Sequence, residues 1–149
     1  MNPAALFAAA NLLAMICWFG LAGSLFVSRL QLWGWRITGL VVPALFALIY
    51  IVLLARGIAE APEGGFGSIA AVRALFASDA ALTAGWLHYL AFDLFVGTFI
   101  ARAGTEVHIP GLLLLPCLAL TFLFGPTGLL LFIVIRFIAG RRRGGAVSA

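Results

Sequence analysis

A chain of 149 residues with 64% hydrophobic and 9% charged residues is not a water-soluble domain, because soluble domains carry about 25% charged residues and cannot hide so much apolar surface. Its net charge of +4 rests on nine basic residues, all arginine. They sit between or beside apolar runs, so they read as topology signals and headgroup contacts, not as a nucleic-acid surface. Cys17 and Cys117 both lie inside apolar runs, which argues against a disulfide framework, and no paired Cys/His spacing points to a metal or another cofactor.

The first apolar run covers residues 4–27. No basic segment precedes it, and it exceeds the ~7–15 residues of a signal-peptide core. It reads as a retained transmembrane helix, with Asn11 as an amide for an interhelical hydrogen bond. Arg29, Trp33, Trp35 and Arg36 follow in an expected short loop, the mixture found where a membrane meets water. A second span is expected over 37–55, with Pro43 able to bend it.

The stretch EAPEGGFG is a loop by its proline and glycine content. Residues 68–77 suit a short surface or interfacial helix, although Ser68, Arg73, Ser78 and Asp79 scatter around its wheel. Ser78 or Asp79 then caps a third span over 80–101, closed by Arg102 and followed by the polar loop AGTEVHIPG. The last run, 110–138, has 29 residues. At ~43 Å it is too long for one untilted span and too short for two plus a turn, and Pro116 with GPTG at 125–128 predicts a kink or a broken helix.

These elements predict an all-α integral membrane protein with four transmembrane helices. One domain occupies 1–140, and a basic, disordered tail occupies 141–149. With four crossings both termini share a face. Arg56, Arg73, Arg136, Arg141, Arg142 and Arg143 then fall on that face, and Arg29, Arg36 and Arg102 on the other. The positive-inside rule puts the first group, and both termini, in the cytoplasm. The first helix alone argues the opposite way, since Arg29 and Arg36 follow it and no charged side chain precedes it. The Ala-, Gly-, Leu- and Arg-rich usage suggests a bacterial source, hence an inner membrane.

The chemistry concentrates in the third span. A carboxylate at the centre of a membrane helix costs about 2.5–3.5 kcal/mol on insertion scales, and such residues are usually functional. On a helix Asp93 shares a face with Trp86, Tyr89 and Gly97, whereas His88 lies ~140° round the axis. Asp93 is a candidate proton donor or base, and His88 a candidate proton carrier near neutral pH. Interhelical hydrogen bonding is the alternative for Asp93. Trp86, Tyr89, Phe92 and Phe95 either pack or form an aromatic wall suited to a long conjugated or isoprenoid ligand. Thr121 and Thr127 flank the Gly125–Pro126 break, which frees backbone groups that must face protein or a cavity. Glu106 and His108 could join His88 and Asp93 as a metal set only on paper, since the spacing matches no strong motif.

The sequence AGWLHYLAFDLFVGTFIAR, followed by IPGLLLLPCLALTFLFGPTGLLLF, resembles the ABA-deficient-four-like membrane family, with the likeness concentrated in residues 84–132. The resemblance implies a four-helix integral membrane protein. The family's plant member is linked to making neoxanthin from violaxanthin, an isomerisation in which an epoxide opens and an allene forms. Such a step needs an acid and a base but no redox cofactor. His88 and Asp93 stand at positions of the motif suited to those roles, and Trp86, Tyr89, Phe92, Thr121, Gly125 and Pro126 are the expected substrate-binding residues. The implied partners are membrane lipid and an apolar carotenoid or isoprenoid.

Two other readings come from different classes. One is a non-catalytic assembly protein that packs against a membrane-protein partner or a second copy of itself. The other is a small transporter that uses the GPTG break as its binding site.

Overall fold

The structure is a computed structural model that describes the backbone of residues 2–146 and the side chains of residues 2–140. The described residues are helical apart from short turns. The helices are α1 (Pro3–Ser24), α2 (Ser28–Arg36), α3 (Val42–Glu60), α4 (Ile69–Leu75), α5 (Asp79–Glu106), α6 (Gly111–Phe124) and α7 (Pro126–Ala146). Among the described residues, three helical stretches are long and apolar enough to cross a membrane: α1, the continuous Ser28–Glu60, and α5. The chain is therefore an all-α, multi-pass membrane protein. Large apolar side chains such as Leu12, Phe19, Leu48 and Ile51 stand exposed on these helices, as they must where the surrounding solvent is hydrocarbon.

The structure corrects several boundaries. The segment holding Trp33, Trp35 and Arg36 is the helix α2, not a loop. It carries Arg29 and Gln31, and the Arg36 guanidinium lies 5.5 Å from the centre of the Trp33 ring, so a helix at the interface looks loop-like by polarity alone. It continues into α3 through one π-helical turn, Ile37–Val41. Pro43 explains that turn. Its ring would clash with the carbonyl four residues back, and a wider turn moves that carbonyl aside without ending the helix. α5 also runs past Arg102 to Glu106 and stops only where His108 takes a positive φ of 56° ahead of Pro110. α4 is the short helix expected, capped by Ser68, whose hydroxyl accepts from the Ala71 amide at 3.1 Å.

Over the run 110–138 the chain forms two shorter helices, α6 and α7, which break at Gly125 within GPTG, as expected, and pack against each other. Pro116 stays inside α6 and does not break it. The backbone of α7 continues to Ala146, into the stretch expected to be disordered, because arginines extend an established helix at little cost. Residues 147–149 of that expected tail lie outside the described residues.

Contacts group the chain into two compact units. The first comprises the chain up to Ile16 with Val41–Phe92. Its core includes Phe46, Leu53, Leu75, Ala81, Ala84 and Leu87. Gly57 lies so close to Ala81 that a Cβ there would come within 2.6 Å of the Ala81 backbone nitrogen. Arg56 pairs with Glu60 at 2.6 Å, and Ser78 donates to the other oxygen of Glu60 at 2.7 Å, tying the end of α3 to the start of α5.

The second unit comprises Cys17–Leu40 with the chain from Asp93 onward. Leu21, Leu94, Ile100, Leu114, Cys117 and Phe132 are buried in it. Small residues set its close approaches: Gly97 lies beneath the Trp18 ring and Gly104 beneath Leu114. Hydroxyls and an indole join its helices. Thr38 and Thr98 share a buried hydrogen bond of 2.7 Å, and the Trp35 indole donates to Ser24 at 3.0 Å.

Candidate functional site

The expected acid–base pair falls into two places. His88 belongs to the first unit and Asp93 to the second. Both lie on α5, where five residues of separation set them ~7.5 Å apart in rise and on different faces.

His88 sits in an aromatic groove of the first unit. Its ring stacks on Phe92 with centroids 4.6 Å apart and meets Tyr50 at 5.7 Å. Phe46, Ile51, Leu87 and two alanines also line this cavity of about 250 Å³. His88 itself is exposed, so the groove opens to whatever surrounds α5 there. Phe92 belongs to it, as the i, i+4 spacing from His88 requires.

Trp86 and Tyr89 lie elsewhere in the same unit. Their rings stack at 5.3 Å, and Phe7 packs on Trp86 at 5.4 Å. The Trp86 indole donates to the Asn11 side chain at 2.9 Å. That bond satisfies Asn11 as an interhelical amide, and Trp86 is not among the residues that line the His88 groove.

Asp93 belongs to the break between α6 and α7. Gly125 is buried and adopts φ 50° and ψ −100°. A Cβ built on it would stand 3.0 Å from Oδ1 of Asp93. The carboxyl therefore lies beside the first turn of α7, the positive end of a helix dipole, which offsets part of the cost of negative charge there. Asp93 has interactions of its own, and its Oδ2 is a buried oxygen with no hydrogen bond among the described residues.

The other expected substrate contacts at the break divide by exposure. Thr121 is fully buried, and its hydroxyl donates to the Cys117 carbonyl at 2.8 Å. Its own carbonyl accepts from the Gly125 amide at 2.9 Å. Thr121 thus finishes α6 and holds the turn. Pro126 and Thr127 are exposed. Gly128 abuts Thr121 and Cys117, leaving no room for a side chain.

Among the described residues no three His, Cys, Asp or Glu side chains gather as a metal site. Glu106 lines a groove with Arg36 and Arg102, while His108 lines a different cavity with Ile135 and Ile138. The Thr38–Thr98 pair was not singled out from the sequence. Gly39, which packs directly on Thr98, was the available signal, since small residues beside hydroxyls mark close helix contacts in membranes.

Residues 5–132 match the protein family described as ABA DEFICIENT 4-like. The matched range contains both Asp93 and Gly125. No curated protein and no solved structure matches the chain.

Proposed function

We propose, for a chain that belongs to the ABA DEFICIENT 4-like family, that it binds a carotenoid- or isoprenoid-type molecule within the bilayer and isomerises it without change of mass. The observation that carries this reading is Asp93, a carboxyl halfway along a membrane-length helix and set against a glycine turn. Ionisable groups at that depth are expensive and usually handle protons or ligands.

In an epoxide-to-allene isomerisation the carbon–oxygen bond of the epoxide breaks and its oxygen takes up a proton. A neighbouring C–H bond gives its electron pair to the new double bond and its proton to a base. The atoms balance with no oxidant or reductant. Asp93 is the proposed proton-handling group. His88 is the proposed second titratable group, and its aromatic groove, with Tyr50 and Phe92, suits a conjugated chain. Because the two lie on different faces of α5, each role stands or falls separately. The proposed setting is a bacterial inner membrane.

The test is purification from a carotenoid-producing host, with wild type beside Asp93→Asn and His88→Gln. Bound pigment is extracted and identified by mass and absorption. The expected result is a wild-type product of unchanged mass and shifted retention, reduced at least ~10²-fold by Asp93→Asn, the usual scale for losing a general acid or base. Normal product from a folded Asp93→Asn protein refutes its role. No pigment, no isomer and a stoichiometric co-purifying membrane protein support the assembly reading instead.

A further inference from the structure

The chain turns round at Gly125. Leu113 of α6 and Ile135 of α7 line one cavity of about 400 Å³. In an unbroken helix those two residues would stand ~33 Å apart. Gly128 lies against Cys117 and Thr121, which a continuous helix also forbids. Two antiparallel helices joined by a tight turn satisfy both observations.

Contacts within the second unit measure how deep that turn goes. Gly104 of α5 meets Leu114 of α6, and Asp93 meets Gly125. From Gly104 back to Asp93 is ~16 Å along one helix, and from Leu114 on to Gly125 is ~16 Å along the other. The hairpin therefore runs beside the second half of α5, and its tip stops level with Asp93. Asp93 is the central part of Asp79–Glu106, a helix ~42 Å long, so the tip stops near mid-membrane and α7 returns the way α6 came. Arg136 on α7 and Arg102 on α5 are both exposed and lie ~16 Å and ~14 Å from the tip along their helices, at the depth where a bilayer meets water.

We infer that α6 and α7 form a re-entrant hairpin that enters and leaves the membrane on one face. The chain then crosses three times, and its ends lie on opposite faces. Arg29, Arg36, Arg102, Arg136, Arg141, Arg142 and Arg143 fall on the face where α7 ends. Arg56 and Arg73 fall on the other, beside Glu60, Glu63 and Asp79. The arginine-rich surface fits the anionic headgroups of the cytoplasmic leaflet, so the C-terminus is inside and the N-terminus outside. The conflict in the four-span count disappears. The charges flanking α1 and the charges of the whole chain now orient the protein the same way. The placement is independent of any substrate.

The experiment is cysteine labelling in intact and permeabilised cells with a membrane-impermeant maleimide. Single cysteines are introduced as Glu63→Cys, as His108→Cys and after Ala149, in a chain carrying Cys17→Ala and Cys117→Ala. If that background does not accumulate, the native chain replaces it, because Cys17 and Cys117 are buried. Glu63→Cys should label in intact cells. His108→Cys and the C-terminal cysteine should label only after permeabilisation. Opposite accessibility of His108→Cys and the C-terminus overturns the hairpin. Equal accessibility with all three sites reversed keeps the hairpin and overturns the orientation.

Discussion

Asp93 and Gly125 meet where the last membrane segment folds back, with Oδ1 of Asp93 3.0 Å from the point a Gly125 side chain would occupy. One glycine thus meets two demands. It supplies a positive φ of 50°, and it lets a carboxyl approach the backbone of the turn.

Gly125→Ala should therefore destabilise the protein, by about 1–3 kcal/mol from the backbone conformation alone, because ψ −100° takes Gly125 outside even the left-handed helical region. Thermal unfolding in detergent or nanodiscs measures it. Gly140→Ala is the control, since a Cβ there meets nothing within 4 Å and a helical Gly→Ala change is stabilising by up to about 1 kcal/mol. Equal melting of the two variants contradicts the turn described.

The Thr38–Thr98 hydrogen bond should appear as a coupling in a double-mutant cycle with Thr38→Val and Thr98→Val. Interhelical bonds in membranes average about 0.6 kcal/mol and reach about 1.7. With one proton each, one hydroxyl donates across the pair while the other donates to its own carbonyl, Gly34 for Thr38 or Leu94 for Thr98, and the cycle separates the bond across the pair from those backbone bonds. Strict additivity would mean that only those backbone bonds contribute.

Gly57→Ala should lower the melting temperature although alanine is the better helix former. The added Cβ would lie 2.6 Å from Ala81 backbone and side chain, and overpacking of about 1–3 kcal/mol outweighs a propensity gain of about 1. Gly20→Ala, with open space around it, should be neutral or stabilising. A stabilised Gly57→Ala protein would mean that α3 and α5 are further apart.

Trp86→Phe should keep the ring stack on Tyr89 and lose the hydrogen bond to Asn11. The expected cost is about 1 kcal/mol. Asn11→Leu in the Trp86→Phe background should cost less than Asn11→Leu alone. An equal cost in both backgrounds would show that the pair is not coupled.

Composition was enough to identify the solvent as lipid, and apolar length located α1, α3 and α5. Two things were harder to read. α2 carries arginines and tryptophans at an interface, where a helix and a loop have the same composition. The run 110–138 announces a break through GPTG, but the direction of the chain after a break depends on what Gly128 packs against, and that is a tertiary fact. Asp93 and Gly125 were each legible, one by cost and the other by conformation. Their meeting was not, because nothing local encodes a contact between residues on separate helices. That His88 and Asp93 face different ways was legible too, since five residues on a helix turn ~140°.

The packing of Trp18 over Gly97 gives the protein an optical signature of its own. Of the four tryptophans, Trp18 is 7% exposed, whereas Trp33 and Trp86 are 66% and 38% exposed. Trp18 also meets Phe122 of the hairpin edge-on at 5.5 Å. Brominated lipid acyl chains should quench the outward indoles and largely spare this one. In a Trp35→Phe background, which removes the half-buried fourth indole, the residual, blue-shifted emission then reports, without any attached dye, whether α6 remains seated.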